Sequence, residues 1–211
     1  MNLLNQIRVK AGYYFLKKGI KSLKRSKKLV NINSAGSVGL LFELTDDTVY
    51  YAIQKYFQKL QDKKIKVKAL GFASNKLVTN QFLPVLSFDF FNSKQLNWFH
   101  IPKATCVQDF IDADFDICIN IASEKVFPLK YIAGMSRARL KVGAYGKELP
   151  VEEYTELSSI YDIMLLAESS HDQVVFLDNI HEYLTILNPK ENVWAFQGNR
   201  NGYRNAISWF R

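Results

Sequence analysis

Residues 115–143, FDICINIASEKVFPLKYIAGMSRARLKVG, constrain the fold more than any other part of the chain. The segment 115–122 is a mostly apolar run of strand length, which is typical of a strand buried on both faces of a sheet. Leu140, Val142 and Gly143 indicate a second strand. A right-handed crossover would make the two strands parallel. The segment therefore predicts a β-α-β unit and an α/β fold class.

Between the two strands we predict a helix that begins near Pro128, because a proline in the first helical turn loses no hydrogen bond. We expect the side chains of one narrow stripe to pack on the sheet: Leu129, Ile132, Ala133 and Ser136. Gly134 costs about 1 kcal/mol relative to alanine inside a helix. We therefore expect it to mark a close approach of the helix to a strand.

Apolar strands and amphipathic helices alternate through most of the remaining chain, which predicts a doubly wound, mainly parallel sheet of five or six strands. We expect a single Rossmann-like domain at residues 33–187, between an N-terminal helical arm (1–32) and a tail (188–211). Residues 71–76 (GFASNK) are predicted as a loop. An exposed turn is predicted at 95–100, with Trp98 and Phe99 tucked back.

Positive charge is concentrated at the N-terminus. The chain has 28 Lys and Arg against 20 Asp and Glu, a formal charge of +8. Nine of the basic residues and none of the acidic residues lie in positions 1–28, so 19 basic residues remain to balance 20 acidic ones. The body of the protein is thus electrostatically ordinary, and the arm is the basic feature for which a partner is sought.

The arm is predicted to be an amphipathic helix with one apolar face, formed by Leu3, Leu4, Ile7, Ala11, Tyr14 and Phe15. Three interpretations remain open. This face can dock on the domain; the arm can lie on an anionic membrane, where each basic residue contributes about 1 kcal/mol; or its cations can bind the phosphates of RNA or DNA. For the last two, the predicted contact residues are Lys10, Lys17, Lys18, Lys21, Lys24, Arg25, Lys27 and Lys28.

Ligands of open α/β sheets bind beyond the carboxyl ends of the strands. Polar residues at these positions are the candidate ligand-binding residues for a small molecule: Thr45, Asp46, Ser74, Asn75, Ser123 and Glu124. No GxGxxG or GxxxxGK[ST] sequence joins a strand to a helix, which disfavours a nucleotide cradle of those two kinds. Helix capping alone explains Asp46 and Asp47. We assign no catalytic residue.

His100, His171 and His181 lack metal-ligand spacing, so we predict neither a metal nor a cofactor. Cys106 falls in a loop-like stretch and Cys118 in the core strand, which favours a reducing cytoplasm over a disulfide framework. No run of 18 apolar residues indicates a membrane span. We therefore expect a cytoplasmic protein, membrane-peripheral if the arm binds lipid.

The C-terminal tail is polar and punctuated by glycine, yet it carries five aromatic residues: Trp194, Phe196, Tyr203, Trp209 and Phe210. Aromatic residues in such a tail more often pack on their own domain. If they stay exposed, they indicate a protein partner.

The residues 115–143, taken with SVGLLFELTDD and the basic arm, resemble an uncharacterised family of small bacterial α/β proteins. This resemblance covers residues 1–187 and implies an architecture without an activity. The chain is also similar to the nucleotide-sugar-binding half of heptosyltransferase-like glycosyltransferases, through Phe127, Pro128, Leu129, Ile132, Ala133, Lys141, Val142 and Gly143. Those enzymes close two such domains around the donor, whereas this chain has room for one.

Three functional hypotheses follow from the sequence, and one of them is a plain structural partner in a complex. The first is a non-enzymatic interaction or ligand-binding module that its arm attaches to an anionic surface, either a membrane or a ribonucleoprotein. The alternative is a small nucleotide-sugar-binding or transferase-like enzyme whose site lies at the carboxyl ends of the strands.

Overall fold

A computed structural model describes residues 3–73, 88–146, 150–167 and 172–188 of the chain. Within these ranges, six parallel strands form one sheet. The strands are β1 (Ser37–Glu43), β2 (Lys66–Ala73), β3 (Phe88–Asn92), β4 (Ile117–Asn120), β5 (Leu140–Gly146) and β6 (Ile163–Ala167).

The same ranges contain six α-helices: α1 (Leu3–Ser22), α2 (Asp47–Asp62), α3 (Thr105–Ile111), α4 (Phe127–Met135), α5 (Val151–Ile160) and α6 (Gln173–Ile186). Local chemistry fixes where several of them begin. Asp46 caps α2 and Asp172 caps α6, each through a carboxylate that accepts a backbone N–H of the first turn. Pro128 lies in the first turn of α4, as predicted.

The strand order is β3-β2-β1-β4-β5-β6. The chain builds the sheet outward from β1 to β3, crosses to the other side of β1 to form β4, and continues outward to β6. Leu40 of β1 is paired with Ala69 of β2 on one side and with Ile119 of β4 on the other. This order is that of the doubly wound dinucleotide-binding folds. The predicted doubly wound, parallel sheet is confirmed, and so is the β4-α4-β5 unit from which it was inferred.

Helices cover both faces of the sheet. The side chains of α2 and α6 belong to the hydrophobic cluster on one face. Those of α3, α4 and α5 belong to the cluster on the other face, together with Leu16 of α1. Helix α1 packs on α4, so on this side of the sheet it forms an additional layer outside the usual helical layer.

The predicted loop at 71–76 is wrong in its first half, because Gly71, Phe72 and Ala73 are the last three residues of β2. A Cβ atom at Gly71 would lie 2.7 Å from the ring of Phe90 and 2.8 Å from that of Phe42. The glycine is therefore a packing residue inside a strand, not a turn residue. Residues 74–76 lie outside the described residues. Cys106, predicted in a loop, belongs to α3.

The predicted role of Gly134 is also wrong. The atoms nearest to a Cβ at this position would be Cδ1 of Leu16, at 2.6 Å, and Cδ1 of Ile20, at 3.3 Å, and both side chains belong to α1. The glycine thus permits a close approach between two helices, not between a helix and a strand. The sequence of α4 predicts a stripe that packs on the sheet, but it carries no signal for a second helix on the other side of α4.

Candidate functional site

Helix α1 docks on the domain through a narrow face of small residues. Leu16 is almost completely buried, with 1% of its surface exposed. A Cβ at Gly12 would lie 2.5 Å from the carbonyl oxygen of Phe99 and 2.8 Å from the ring of Phe127. A Cβ at Gly19 would lie 2.5 Å from Sδ of Met135. The docked face therefore follows Gly12, Leu16 and Gly19, at spacings of four and three residues.

Three of the apolar residues predicted to form one face of α1 have exposed side chains. Ile7, Tyr14 and Phe15 are 49%, 65% and 40% exposed, respectively. Lys10 and Lys18 are also exposed, and on a helix with 3.6 residues per turn they fall beside Ile7 and Tyr14. The outward surface of α1, formed by Ile7, Lys10, Tyr14 and Lys18, thus combines large apolar side chains with cations, and the described part of the domain leaves it exposed.

Three of the predicted surface cations lie within ion-pair distance of carboxylates of the domain: Lys17, Arg25 and Lys27. Nη1 of Arg25 donates to Oδ2 of Asp162 at 2.7 Å, and the side chain of Arg25 is only 9% exposed. Arg25 is therefore not available to an external anionic surface. Nζ of Lys17 lies 2.8 Å from Oε1 of Glu156 on α5.

Lys27 is largely exposed but lies 3.5 Å from Oδ1 of Asp162. Among the residues that the structure describes, the other predicted cations have no carboxylate within ion-pair distance: Lys10, Lys18, Lys21, Lys24 and Lys28. All five side chains are exposed. Their positive charge is therefore available to a partner.

A tight turn from a distant part of the chain lies beside α1. Oδ1 of Asn97 accepts the backbone N–H groups of Phe99 (2.9 Å) and Ile101 (3.0 Å), and the N–H of Asn97 donates to the carbonyl of Ile101. His100 adopts a positive φ of 59°. Trp98 is 49% exposed, so the expectation that this residue is tucked back is wrong.

Helix α1 contacts this turn through two side chains. Nε of Arg8 donates to the carbonyl oxygen of Trp98 at 2.7 Å, and its guanidinium carbon lies 5.6 Å from the centroid of the Trp98 ring. The rings of Phe15 and Phe99 lie 5.0 Å apart, centroid to centroid. Sequence reasoning did not select Arg8 or Trp98, because nothing local in the chain connects positions 8 and 98.

At the carboxyl end of β1, the candidate ligand-binding residues are used in capping α2. Oδ1 of Asp46 accepts the N–H of Val49 at 3.1 Å, and Oδ2 accepts the hydroxyl of Thr45 at 3.0 Å. The hydrogen bond from Val49 lowers the pKa of the Asp46 carboxyl below its usual value, because it stabilises the ionised form. The carboxylate is thus a stable helix cap.

At the carboxyl end of β4, Oγ of Ser123 accepts the N–H of Lys125 at 3.3 Å and donates to Oε2 of Glu124 at 3.4 Å. These contacts form a local turn. Gln173 of α6 donates to the carbonyl of Glu43 and accepts its N–H, at 2.9 and 3.0 Å, and so occupies the end of β1. Ser74 and Asn75 lie outside the described residues.

Two buried lysines were not predicted. Nζ of Lys130 donates to the hydroxyl of Tyr13 on α1, and burial lowers the pKa of Lys130. Lys141, which is 2% exposed, donates to the carbonyl of Gly134 at 2.7 Å. Burial, reinforced by the nearby charge of Arg25, lowers the pKa of Lys141 to about 7. Lys130 therefore helps to hold α1 on α4, and Lys141 connects α4 to the sheet.

The described residues contain no group of three His, Cys, Asp or Glu side chains arranged to hold a metal ion. None of the helices in this part of the chain is long and apolar enough to cross a bilayer. A groove of about 510 Å³ lies between α1 and α5, lined by Ile20 and Val151 among others. The Lys17–Glu156 ion pair lies in this groove.

The sheet and the docking of α1 together define a class of protein: a doubly wound α/β domain with an additional N-terminal helix packed outside its helical layer. Residues 8–187 match the Family of unknown function (DUF6913), and the chain belongs to that family. The match includes most of α1 and extends through α6. No curated protein matches the chain. The resemblance to an uncharacterised family is thereby confirmed.

Proposed function

We propose that this protein is a non-enzymatic α/β module of the bacterial cytoplasm, attached by α1 to the surface of an anionic membrane. One observation carries the proposal: the face of α1 that points away from the domain presents Ile7 and Tyr14 beside Lys10 and Lys18. A helix with this mixture lies in the interface of a bilayer, its apolar groups among the lipid headgroups and its cations on the phosphates.

The apolar part of this surface favours a membrane over a nucleic acid. Phosphate contacts with a duplex need cations and hydrogen-bond donors, and they would leave Ile7 and Tyr14 in water. A bilayer interface accommodates both kinds of side chain. Single-stranded RNA could stack on exposed aromatic rings, so RNA binding is the competing outcome of the test below.

The described part of the carboxyl edge of the sheet, at the ends of β1 and β4, supports the non-enzymatic part of the proposal. Asp46 caps α2 and accepts the hydroxyl of Thr45, and Ser123 donates to Glu124 within a turn. Gln173 satisfies the backbone of Glu43, at the place where the strand order reverses and where such folds usually bind a ligand. The nucleotide-sugar hypothesis, with its similarity to heptosyltransferase-like enzymes, stays a prediction.

Vesicle co-sedimentation tests the proposal on the full chain. Removing the arm would be a poor test, because Leu16 and Arg25 are part of the folded domain. We expect the protein to pellet with phosphatidylserine-containing vesicles, to stay in the supernatant with pure phosphatidylcholine, and to bind less at higher salt. Absence from both pellets would overturn the proposal. Tight binding to single-stranded RNA under the same conditions would then indicate a nucleic-acid partner.

A further inference from the structure

The turn at residues 97–101 adds a second element to the outward surface of α1. Ring contacts run from Tyr14 to Phe15 (5.7 Å), from Phe15 to Phe99 (5.0 Å) and from Phe99 to Trp98 (5.1 Å) between centroids. Two segments more than 80 residues apart in the chain thus form one aromatic patch. The side chains of Tyr14 and Trp98 are 65% and 49% exposed, respectively.

Hydrogen bonds between side chains and the backbone fix the position of this patch. The Asn97 side chain bonds the turn to itself through Phe99 and Ile101, and Arg8 bonds the turn to α1. Gly12 lets the two come together, because any side chain there would meet the carbonyl of Phe99. A rigid turn loses little conformational entropy when its tryptophan binds a surface.

We propose that Trp98, together with Tyr14 and Phe15, is an interfacial anchor that inserts among the headgroups of an anionic bilayer. This inference rests on the proposed attachment of α1. Trp and Tyr side chains are enriched at membrane–water interfaces, where the ring lies at the level of the headgroups. Arg8 lies against Trp98. Lys10 and Lys18 lie four residues before and after Tyr14 on α1, which puts them beside its ring on the helix surface. Cations therefore border the patch.

Charge favours a lipid surface over a protein partner for this patch. Residues 1–28 contain nine basic residues and no acidic ones, whereas protein interfaces at their cores are depleted of lysine. Anionic lipid headgroups meet the aromatic rings and the surrounding cations at the same time.

Tryptophan fluorescence tests the insertion directly. Trp98 becomes the sole tryptophan when Trp194 and Trp209 are replaced by Phe. With vesicles of phosphatidylserine and brominated phosphatidylcholine, we expect a blue shift of its emission and quenching by the bromine. If this variant pellets with anionic vesicles but its emission does not change, the anchor is overturned while the proposed attachment stands. If it does not pellet, the attachment itself fails.

Substitutions with a matched control provide the second test. Tyr14→Ser and Trp98→Ala should each weaken vesicle partitioning about tenfold, because each removes most of an aromatic side chain from the interface. Tyr51 on α2 is 63% exposed, close to the 65% of Tyr14, but belongs to the opposite face of the sheet. Tyr51→Ser should leave partitioning unchanged. Equal partitioning of the Tyr14 and Tyr51 variants would contradict the proposal.

Discussion

The guanidinium of Arg25 and the carboxylate of Asp162 form a two-point ion pair in which both side chains are less than 10% exposed. Nη1 of Arg25 also donates to the carbonyl of Ala138 at 3.0 Å, and Oδ2 of Asp162 accepts the N–H of Lys141 at 2.9 Å. The pair thus joins the segment after α1 to the strands β5 and β6. It makes residues 23–30 part of the domain.

Replacement of Arg25 by Ala should lower the free energy of unfolding by about 3 kcal/mol, because it leaves the buried carboxylate of Asp162 without its main partner. Nζ of Lys27, which lies 3.5 Å from Oδ1 of Asp162, replaces part of the lost positive charge. Lys24→Ala is the matched control, since this neighbouring cation is exposed, and it should change stability by less than about 0.5 kcal/mol. Chemical denaturation measures both. Equal stabilities of the two variants would contradict the assigned role of the pair.

Because Gly134 contacts Leu16, the effect of Gly134→Ala on the free energy of unfolding should have opposite signs in the wild-type protein and in a Leu16→Ala variant. Gly134→Ala should destabilise the protein by about 1–3 kcal/mol, because the new methyl group meets Cδ1 of Leu16. In a Leu16→Ala background the 2.6 Å clash is removed, and the nearest remaining atom is Cδ1 of Ile20 at 3.3 Å, the end of a flexible side chain that can shift by a few tenths of an ångström. The same substitution should then stabilise the protein by up to about 1 kcal/mol through helix propensity. If Gly134→Ala has the same effect in both backgrounds, α1 does not pack on α4 as described.

Lys141 predicts a pH dependence of stability. Its pKa is about 7 in the folded protein and about 10.4 when unfolded, so between these values the unfolded chain binds more protons. Stability should therefore rise with pH in this window, by at most about 1.4 kcal/mol per pH unit. Below pH 7 the full cost of burying the cation remains.

Lys141→Met keeps most of the packing and removes the titrating group. Denaturation at several pH values from 7.5 to 9.5 compares the variant with the wild type. We expect the wild-type protein to gain stability relative to the variant across this range. Parallel curves would show that Lys141 keeps an ordinary pKa in the fold.

Substitution of Asp46 tests whether this residue serves as a helix cap or binds a ligand. Asp46→Ala should cost about 1 kcal/mol of stability through loss of the cap of α2, and Asp47→Ala, which removes no cap contact, should cost less. Nucleotides and nucleotide sugars at millimolar concentration should leave the melting temperature unchanged, since a ligand of the native state would raise it by mass action. Stabilisation by a nucleotide sugar that Asp46→Ala abolishes would favour the enzymatic alternative.

The sheet could be predicted from the sequence because its signals are local. The alternation of Ile117 and Ile119 with Cys118, in a run bounded by polar residues, is sufficient to identify a strand buried on both faces. The cap at Asp46 is equally local. Such patterns depend on neighbours within one helical turn or one strand.

The docking of α1 could not be predicted in this way, because it depends on contacts between distant segments. The large apolar residues of α1 left docking as one of three interpretations, and Ile7, Tyr14 and Phe15 prove to be exposed. The usable signal was the spacing of Gly12, Leu16 and Gly19, small residues around one leucine, which permits close helix packing. Arg25 is one of several cations in KSLKRSKK, and only the position of Asp162 makes it different.

The central claim is tested most directly by three exposed lysines of α1 that have no ion-pair partner among the described residues. Exchange of Lys10, Lys18 and Lys21 for Gln should weaken binding to phosphatidylserine vesicles by about 3 kcal/mol, roughly a hundredfold, at about 1 kcal/mol for each lysine. The control exchanges Lys55, Lys59 and Lys66 for Gln; all three are exposed, and two of them lie on α2. Both variants lose the same net charge. We predict a large loss for the α1 variant and a small one for the control, whereas equal losses would contradict attachment through α1.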